Sequence, residues 1–140
     1  MDKIEHIGIA VKDIERATDI YERLMNTKVY KTETVASEHV ITAFLQAGPN
    51  KIELLQATSA DSAVGRFIEK RGEGMHHIAF AVKNIEAEMA RLKAEGFVLL
   101  NDIPKKGADD MLVCFVHPKE TNGVLIELCQ PLRAEFNDKK

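Results

Sequence analysis

Two histidines and two glutamates occupy corresponding places in two similar segments of this sequence. His6 and His77 begin the segments HIGIAVKDIE and HIAFAVKNIE, and an apolar run with one acidic residue, Glu53 or Glu127, follows later in each half. Imidazole nitrogens and carboxylate oxygens bind divalent transition metals and also carry protons in acid–base catalysis. A repeated set of this kind therefore predicts a metal site.

The residues that flank the two histidines are small. Because side chains alternate across a strand, His6 shares its face with Gly8 and Ala10, and His77 shares its face with two alanines. Small neighbours leave space beside each imidazole. The adjacent His76 must then face the other side of its strand, and we predict a structural role for it.

The two glutamates lie within apolar strands. A carboxylate buried there loses several kcal/mol of hydration unless it is paired, hydrogen-bonded or bound to a cation. If the halves are related by a pseudo-twofold axis, Glu53 and Glu127 converge with the two histidines on one ion. Such a His₂Glu₂ set suits Co²⁺, Ni²⁺, Mn²⁺, Fe²⁺ or Zn²⁺. A lone strand histidine or glutamate is more often structural or exposed, but the match in both repeats favours the metal site.

The repeat also predicts the fold. Each half has the pattern β-α-β-β-β, with helices beginning after Asp13 and at Asn84 and a connecting helix over 62–71. Strands are expected at 6–11, 29–34, 39–46 and 51–56, and again at 76–82, near Val98, at 111–116 and at 124–129. We expect an α+β fold in which two tandem βαβββ repeats form a curved mixed sheet around a metal-binding trough. Residues 1–140 are expected to form a single domain, with repeat one at about 4–57, a connector at about 58–73 and repeat two at about 74–131.

Composition excludes several classes of function. The 140 residues include 19 basic and 22 acidic ones, spread along the chain, so we expect no nucleic-acid partner. No signal peptide and no run of about 18 apolar residues is present, so we expect a cytoplasmic protein with no membrane partner. Cys114 and Cys129 fall in predicted strands and are expected to be buried thiols.

With these residues placed, the chain resembles the vicinal oxygen chelate superfamily and, within it, the methylmalonyl-CoA epimerase family. The resemblance covers nearly the whole length and depends on the segments HIGIAVKDI, GEGMHHIA, FVHPK and GVLIEL. It implies that His6, His77 and Glu127 are metal ligands, with Glu53 at a fourth position that relatives fill with Gln or Glu. Some epimerases carry a glutamate as catalytic base on the third strand of the first half, where this chain has Thr42.

The resemblance implies an enzyme that interconverts the 2R and 2S forms of methylmalonyl-CoA by α-proton abstraction through a metal-stabilised enolate. Our hypothesis is that Glu127 and Glu53 supply or relay the two protons. A homodimer is also expected. The polar segment 103–110 is expected to border the ligand mouth or to be a solvated hairpin connection. The candidates for binding the acyl-CoA thioester through its anionic groups are His117, Lys119, Lys105 and Lys106.

Two alternatives remain open. A glyoxalase I-like lactoylglutathione lyase also uses two histidines and two glutamates around a metal, and only an assay of each thioester separates the two enzymes. Some proteins of this fold bind drugs without metal. The metal content of the purified protein distinguishes that binding module from both enzymes.

Overall fold

The computed structural model describes residues 1–132, and the chain divides into two compact units. One unit consists of residues 6–76. The other combines residues 1–5 with the described residues from 77 to 132. The boundary falls at His77, the histidine of the segment HIAFAVKNIE.

The first repeat contains four strands and one helix, followed by the connecting helix. Its strands have the order β2-β3-β4-β1, in which β3 is antiparallel to both neighbours and β1 is parallel to β4. A 3₁₀ turn at Ala36–Glu38 joins β2 to β3. The elements are β1 Lys3–Ala10, α1 Ile14–Met25, β2 Lys31–Val35, β3 Val40–Ala47, β4 Asn50–Ala57 and α2 Ala63–Arg71.

The second repeat has the same plan. Its strands have the order β5-β8-β7-β6, with β5 parallel to β8 and β7 antiparallel to both β8 and β6. The elements are β5 Gly74–Ala81, α3 Ile85–Ala94, β6 Lys105–Lys106, β7 Met111–Val116 and β8 Leu125–Pro131. The predicted α+β class, the mixed strand directions and the tandem βαβββ repeat are therefore confirmed.

Matched polar contacts fix the start of the helix in each repeat. The side chains of Asp13 and Asn84 accept hydrogen bonds from backbone N–H groups in the first turns of α1 and α3. The first helical N–H of α1 also donates to Oε1 of Gln56 at 2.7 Å, and that of α3 donates to Oε1 of Gln130 at 2.8 Å. Since these glutamines lie on β4 and β8, each helix is tied to the strand that carries the glutamate of its repeat.

An apolar core lies between the helix and the sheet of each repeat. In the first, Ala17 of α1 packs with Leu45 and Leu54; in the second, Met89 of α3 packs with Leu128. Cys114 and Cys129 are fully buried, as predicted. Within the described residues, no helix is long and apolar enough to cross a membrane.

The strand predicted near Val98 is wrong. Only an isolated bridge between Leu99 and Val116 forms there, and the short strand β6 begins later, inside the segment predicted to be a polar loop. The side chain of Asn101 explains the interruption. Its Oδ1 accepts from the Phe115 N–H at 3.0 Å and its Nδ2 donates to the Val113 carbonyl at 3.2 Å. The Asn101 side chain thus forms hydrogen bonds with backbone groups of β7 that would otherwise pair with a continuous strand.

Candidate metal centre

The first repeat brings His6 and Glu53 together. His6 lies on β1 and Glu53 on β4, and the distance between Nε2 and Oε1 is 3.3 Å. The parallel register of the two strands places Gly8 opposite Glu53, so no side chain of that β1 residue competes for space beside the carboxylate. Both members of the pair are 4% exposed. The contact is therefore made away from bulk water.

The second repeat builds the same contact from His77 and Glu127. The distance between Nε2 and Oε1 is again 3.3 Å, and the exposed fractions are 4% for the histidine and 6% for the glutamate. Here the parallel register of β5 and β8 places Ala79 opposite Glu127. A small residue thus occupies the position opposite each glutamate.

A phenylalanine packs edge-on against each of these histidines. Phe44 on β3 has its ring centroid 6.4 Å from that of His6, with an interplanar angle of 86°. Phe115 on β7 lies 6.3 Å from His77 at 90°. Each phenylalanine is also the register partner of the glutamate in its own repeat. The sequence analysis did not single out these rings, although both lie in the matching AFL and CFV segments of the two repeats.

The donor set fits a divalent metal. Each repeat offers one buried imidazole and one buried carboxylate that already contact each other, and a buried carboxylate needs a positive partner to offset its lost hydration. Borderline divalent ions accept both donor types. A set of two histidines and two carboxylates is thus suited to the ions named from the sequence.

Thr42 lies at the position where the resemblance implies a catalytic glutamate in some relatives. It lies on β3 at 1% exposure, and its hydroxyl donates to the backbone carbonyl of Glu33 at 3.3 Å. An alcohol of ordinary acidity bound to a carbonyl is a poor base. Thr42 therefore contributes a structural hydrogen bond at this position.

Glu5 is a buried acidic residue that the sequence analysis missed. It is 4% exposed on β1, and its carboxylate lies within 4.8 Å of the sulfur of Cys129. Cys129 follows Glu127 by two positions on β8, so both residues belong to the same strand face. The sequence places Glu5 directly before His6, and the residues of β1 that follow this histidine are apolar or glycine.

The predicted anion-binding residues fall into different surroundings. His117 caps a 3₁₀ turn, where its Nδ1 accepts from the Lys119 N–H at 3.0 Å. Lys105 places its Nζ 5.6 Å from the centroid of the Phe115 ring. Lys106 and Lys119 are exposed. Among the predicted anion-binding side chains, Lys105 thus lies over Phe115, the ring that packs against the candidate ligand His77.

Comparison with known proteins shows the superfamily to which the chain belongs. A model of the Glyoxalase/Bleomycin resistance protein/Dioxygenase superfamily matches residues 5–115. The chain is 40% identical over 138 residues to the uncharacterized protein YqjC of Bacillus subtilis, covering 99% of both chains. It is 37% identical over 130 residues to an ethylmalonyl-CoA/methylmalonyl-CoA epimerase of Cereibacter sphaeroides, covering 91% of this chain and 97% of that one.

A solved structure extends the similarity to three dimensions. The Streptomyces coelicolor methylmalonyl-CoA epimerase, in a variant bound to 2-nitronate-propionyl-CoA, superposes with a TM-score of 0.91 at 35% identity. The superposition covers 94% of this chain and 98% of that one. The similarity therefore extends over almost the whole of both chains.

Proposed function

We propose that this chain, which belongs to the glyoxalase/bleomycin resistance/dioxygenase superfamily and within it to the methylmalonyl-CoA epimerase family, is a metal-dependent epimerase of methylmalonyl-CoA. The reaction interconverts the 2R and 2S forms by removing the α-proton and returning one to the opposite face. The observation that carries the proposal is the buried histidine–glutamate contact, present once in each repeat at the same distance.

In this proposal the four residues of the two contacts bind one divalent ion. The ion is Co²⁺, Ni²⁺, Mn²⁺, Fe²⁺ or Zn²⁺, and when bound it supplies Lewis-acid stabilisation of the negative charge that develops on the substrate oxygens. The burial of both carboxylates supports this role, because each needs a positive partner. The ligands are His6, Glu53, His77 and Glu127.

The same two carboxylates are proposed as the proton carriers. Epimerisation needs a base on each side of the α-carbon, because the proton that leaves from one face must return to the other. Glu53 and Glu127 occupy equivalent places in the two repeats, and each is oriented by the imidazole of its own repeat. The hydroxyl of Thr42 donates to a backbone carbonyl. We therefore propose Glu53 as the residue of the first repeat that carries the second proton.

The remaining expectations concern how the substrate is held. We propose that Lys106 and Lys119 contact the phosphates of the CoA moiety and that His117 contacts an anionic group of the substrate, since anionic groups are bound well by cations and N–H donors. Lys106 and Lys119 are exposed and able to meet a long nucleotide. Association of two chains into a homodimer is part of the same proposal.

Metal analysis coupled to an epimerisation assay tests the proposed function. We expect about one divalent ion per chain, turnover of (2R)- or (2S)-methylmalonyl-CoA, loss of turnover after chelation and recovery after reloading. His39→Ala is a matched control because this exposed histidine lies outside both contacts, and the variant should keep its metal and activity. His77→Ala should lose both.

Two results would contradict the proposal. Full epimerisation by metal-free protein would overturn the metal dependence. A metal-replete protein that converts the hemithioacetal of glutathione and methylglyoxal, while leaving methylmalonyl-CoA unchanged, would establish the lactoylglutathione lyase instead.

A further inference from the structure

The histidine–glutamate–phenylalanine arrangement is nearly the same in both repeats, but the proposed substrate is not symmetric. The Nε2 to Oε1 distance is 3.3 Å in both repeats, and the histidine–phenylalanine centroid distances are 6.4 and 6.3 Å. The α-carbon of methylmalonyl-CoA carries a carboxylate on one side and a thioester on the other. Equivalent halves cannot tell these two ends apart, so a residue outside the repeated set must do so.

In the first repeat, a neutral aromatic residue covers the phenylalanine. Tyr30 packs against Phe44 with ring centroids 6.1 Å apart and an interplanar angle of 33°. Its backbone N–H also donates to the Phe44 carbonyl at 3.0 Å, which holds the residue beside β3. The register partner of Phe44 on β2 is Lys31, whose ammonium group pairs with Glu33 at 3.6 Å, so this side presents a neutral ring beside a cation that already has an acidic partner.

In the second repeat, a cation lies over the phenylalanine, whereas the register-equivalent residue of the first repeat is the acidic Glu33, which pairs with Thr42 two residues before Phe44. The Nζ of Lys105 lies 5.6 Å from the Phe115 centroid, within the range of a cation–π contact. The register of β6 on β7 pairs Lys105 with Val113, two residues before Phe115, so the strand holds the lysine near this ring. One aromatic ring thus separates an ammonium group from the imidazole of His77.

We propose that Lys105 forms an ion pair with the free carboxylate of the substrate's acyl group and so determines the orientation in which the acyl-CoA binds. The inference depends on the proposed function and identifies the specificity-determining residue of that site. A carboxylate is preferred over the phosphates as the partner, because the extended pantetheine arm carries the phosphates far from the thioester. The contact with Phe115 limits the freedom of the ammonium group before substrate arrives.

Binding measurements test the ion pair without requiring turnover. Malonyl-CoA and propionyl-CoA differ by the carboxylate alone, and isothermal titration calorimetry gives the Kd of each for wild type, Lys105→Gln and Lys106→Gln. We expect Lys105→Gln to weaken malonyl-CoA binding about tenfold and to leave propionyl-CoA unchanged, since a charge-assisted contact is lost. Lys106→Gln, altered at the adjacent position of the same strand, should weaken both ligands by the same factor and so keep the preference, and Lys105→Arg should restore most of it.

A truncated substrate distinguishes the two possible anionic partners. Methylmalonyl-N-acetylcysteamine keeps the acyl carboxylate and lacks the nucleotide, so Lys105→Gln should raise the KM for it and for methylmalonyl-CoA by similar factors. A KM increase confined to the CoA substrate would assign Lys105 to a phosphate and overturn the proposal. Equal weakening of malonyl-CoA and propionyl-CoA, or no change in either, would also overturn it.

The two proposals fail in different ways. Wild-type protein that prefers malonyl-CoA through Lys105 but does not epimerise methylmalonyl-CoA would contradict the proposed function alone. An active epimerase whose preference survives Lys105→Gln would contradict the role of Lys105 alone.

Discussion

The two repeats hold their histidine–glutamate contacts in the same way although they connect their strands differently. In the first repeat, residues 48–49 form a tight turn between β3 and β4; in the second, a 3₁₀ turn at Pro118–Glu120 lies within a longer connection between β7 and β8. The Nε2 to Oε1 distance is nevertheless 3.3 Å in each. The contact therefore depends on the parallel registers of β1 with β4 and β5 with β8, and tolerates a change in the turn.

The repeats differ more at the positions around this shared contact. The edge strand has five residues in β2 and two in β6. Thr42 stands two positions before Phe44 where the second repeat has Val113 two positions before Phe115, so neither repeat offers an acidic residue there. The acid–base groups that both repeats present at equivalent places are therefore the histidine and the glutamate of each contact.

The largest expected effect comes from neutralising the two glutamates one at a time. We expect Glu127→Gln and Glu53→Gln each to lower solvent deuterium incorporation at the substrate α-carbon by about 10²- to 10⁴-fold, because each removes one proposed proton carrier. The measurement is isotope exchange followed by mass spectrometry for each substrate epimer, with the metal content determined in parallel.

Different exchange rates in the two variants would show that the two glutamates are not equivalent. Wild-type exchange in metal-replete Glu53→Gln would reduce the role of Glu53 to that of a ligand and leave the second proton to another group. Thr42→Val serves as the control, since it removes a hydroxyl bound to a backbone carbonyl and should keep exchange within a few-fold of wild type.

A smaller effect is expected from replacing the two glutamines that accept hydrogen bonds from the first N–H groups of α1 and α3. Gln56→Ala and Gln130→Ala each remove an acceptor from the first helical N–H, so we expect the free energy of unfolding to fall by about 1 kcal/mol in each. Urea denaturation monitored by circular dichroism measures both. A clearly larger loss for one variant would show that the two repeats contribute unequally to global stability.

The smallest effect concerns a thiol that only the second repeat carries. Burial raises the pKa of Cys114, while the corresponding residue of the first repeat is Ala43. The unfolded chain then ionises this thiol before the folded protein does, so the free energy of unfolding should fall as the pH rises past the ordinary thiol pKa of about 8.5. Stability measured from pH 7 to 10 should decline less steeply in Cys114→Ala. An unchanged slope would show that this thiol is not linked to unfolding.

Local pattern was sufficient for much of the fold. The helix starts were predicted after Asp13 and at Asn84, and both residues cap the helices that follow them. The strand near Val98 was predicted wrongly, because the hydrogen bonds of Asn101 to β7 join residues that are distant in sequence. The buried Glu5 was missed for a similar reason, since its neighbour Cys129 lies on the last strand.

The amino-acid sequence by itself determined the repeat, the types of the candidate ligands and the strand faces on which they lie, because these follow from periodicity within short segments. Tertiary structure alone decided that each histidine meets a glutamate at 3.3 Å, that Phe44 and Phe115 pack edge-on against the imidazoles, and that Lys105 lies over Phe115. Each of these contacts joins different strands. Strand register sets them, and register depends on pairing between segments that are far apart in the chain.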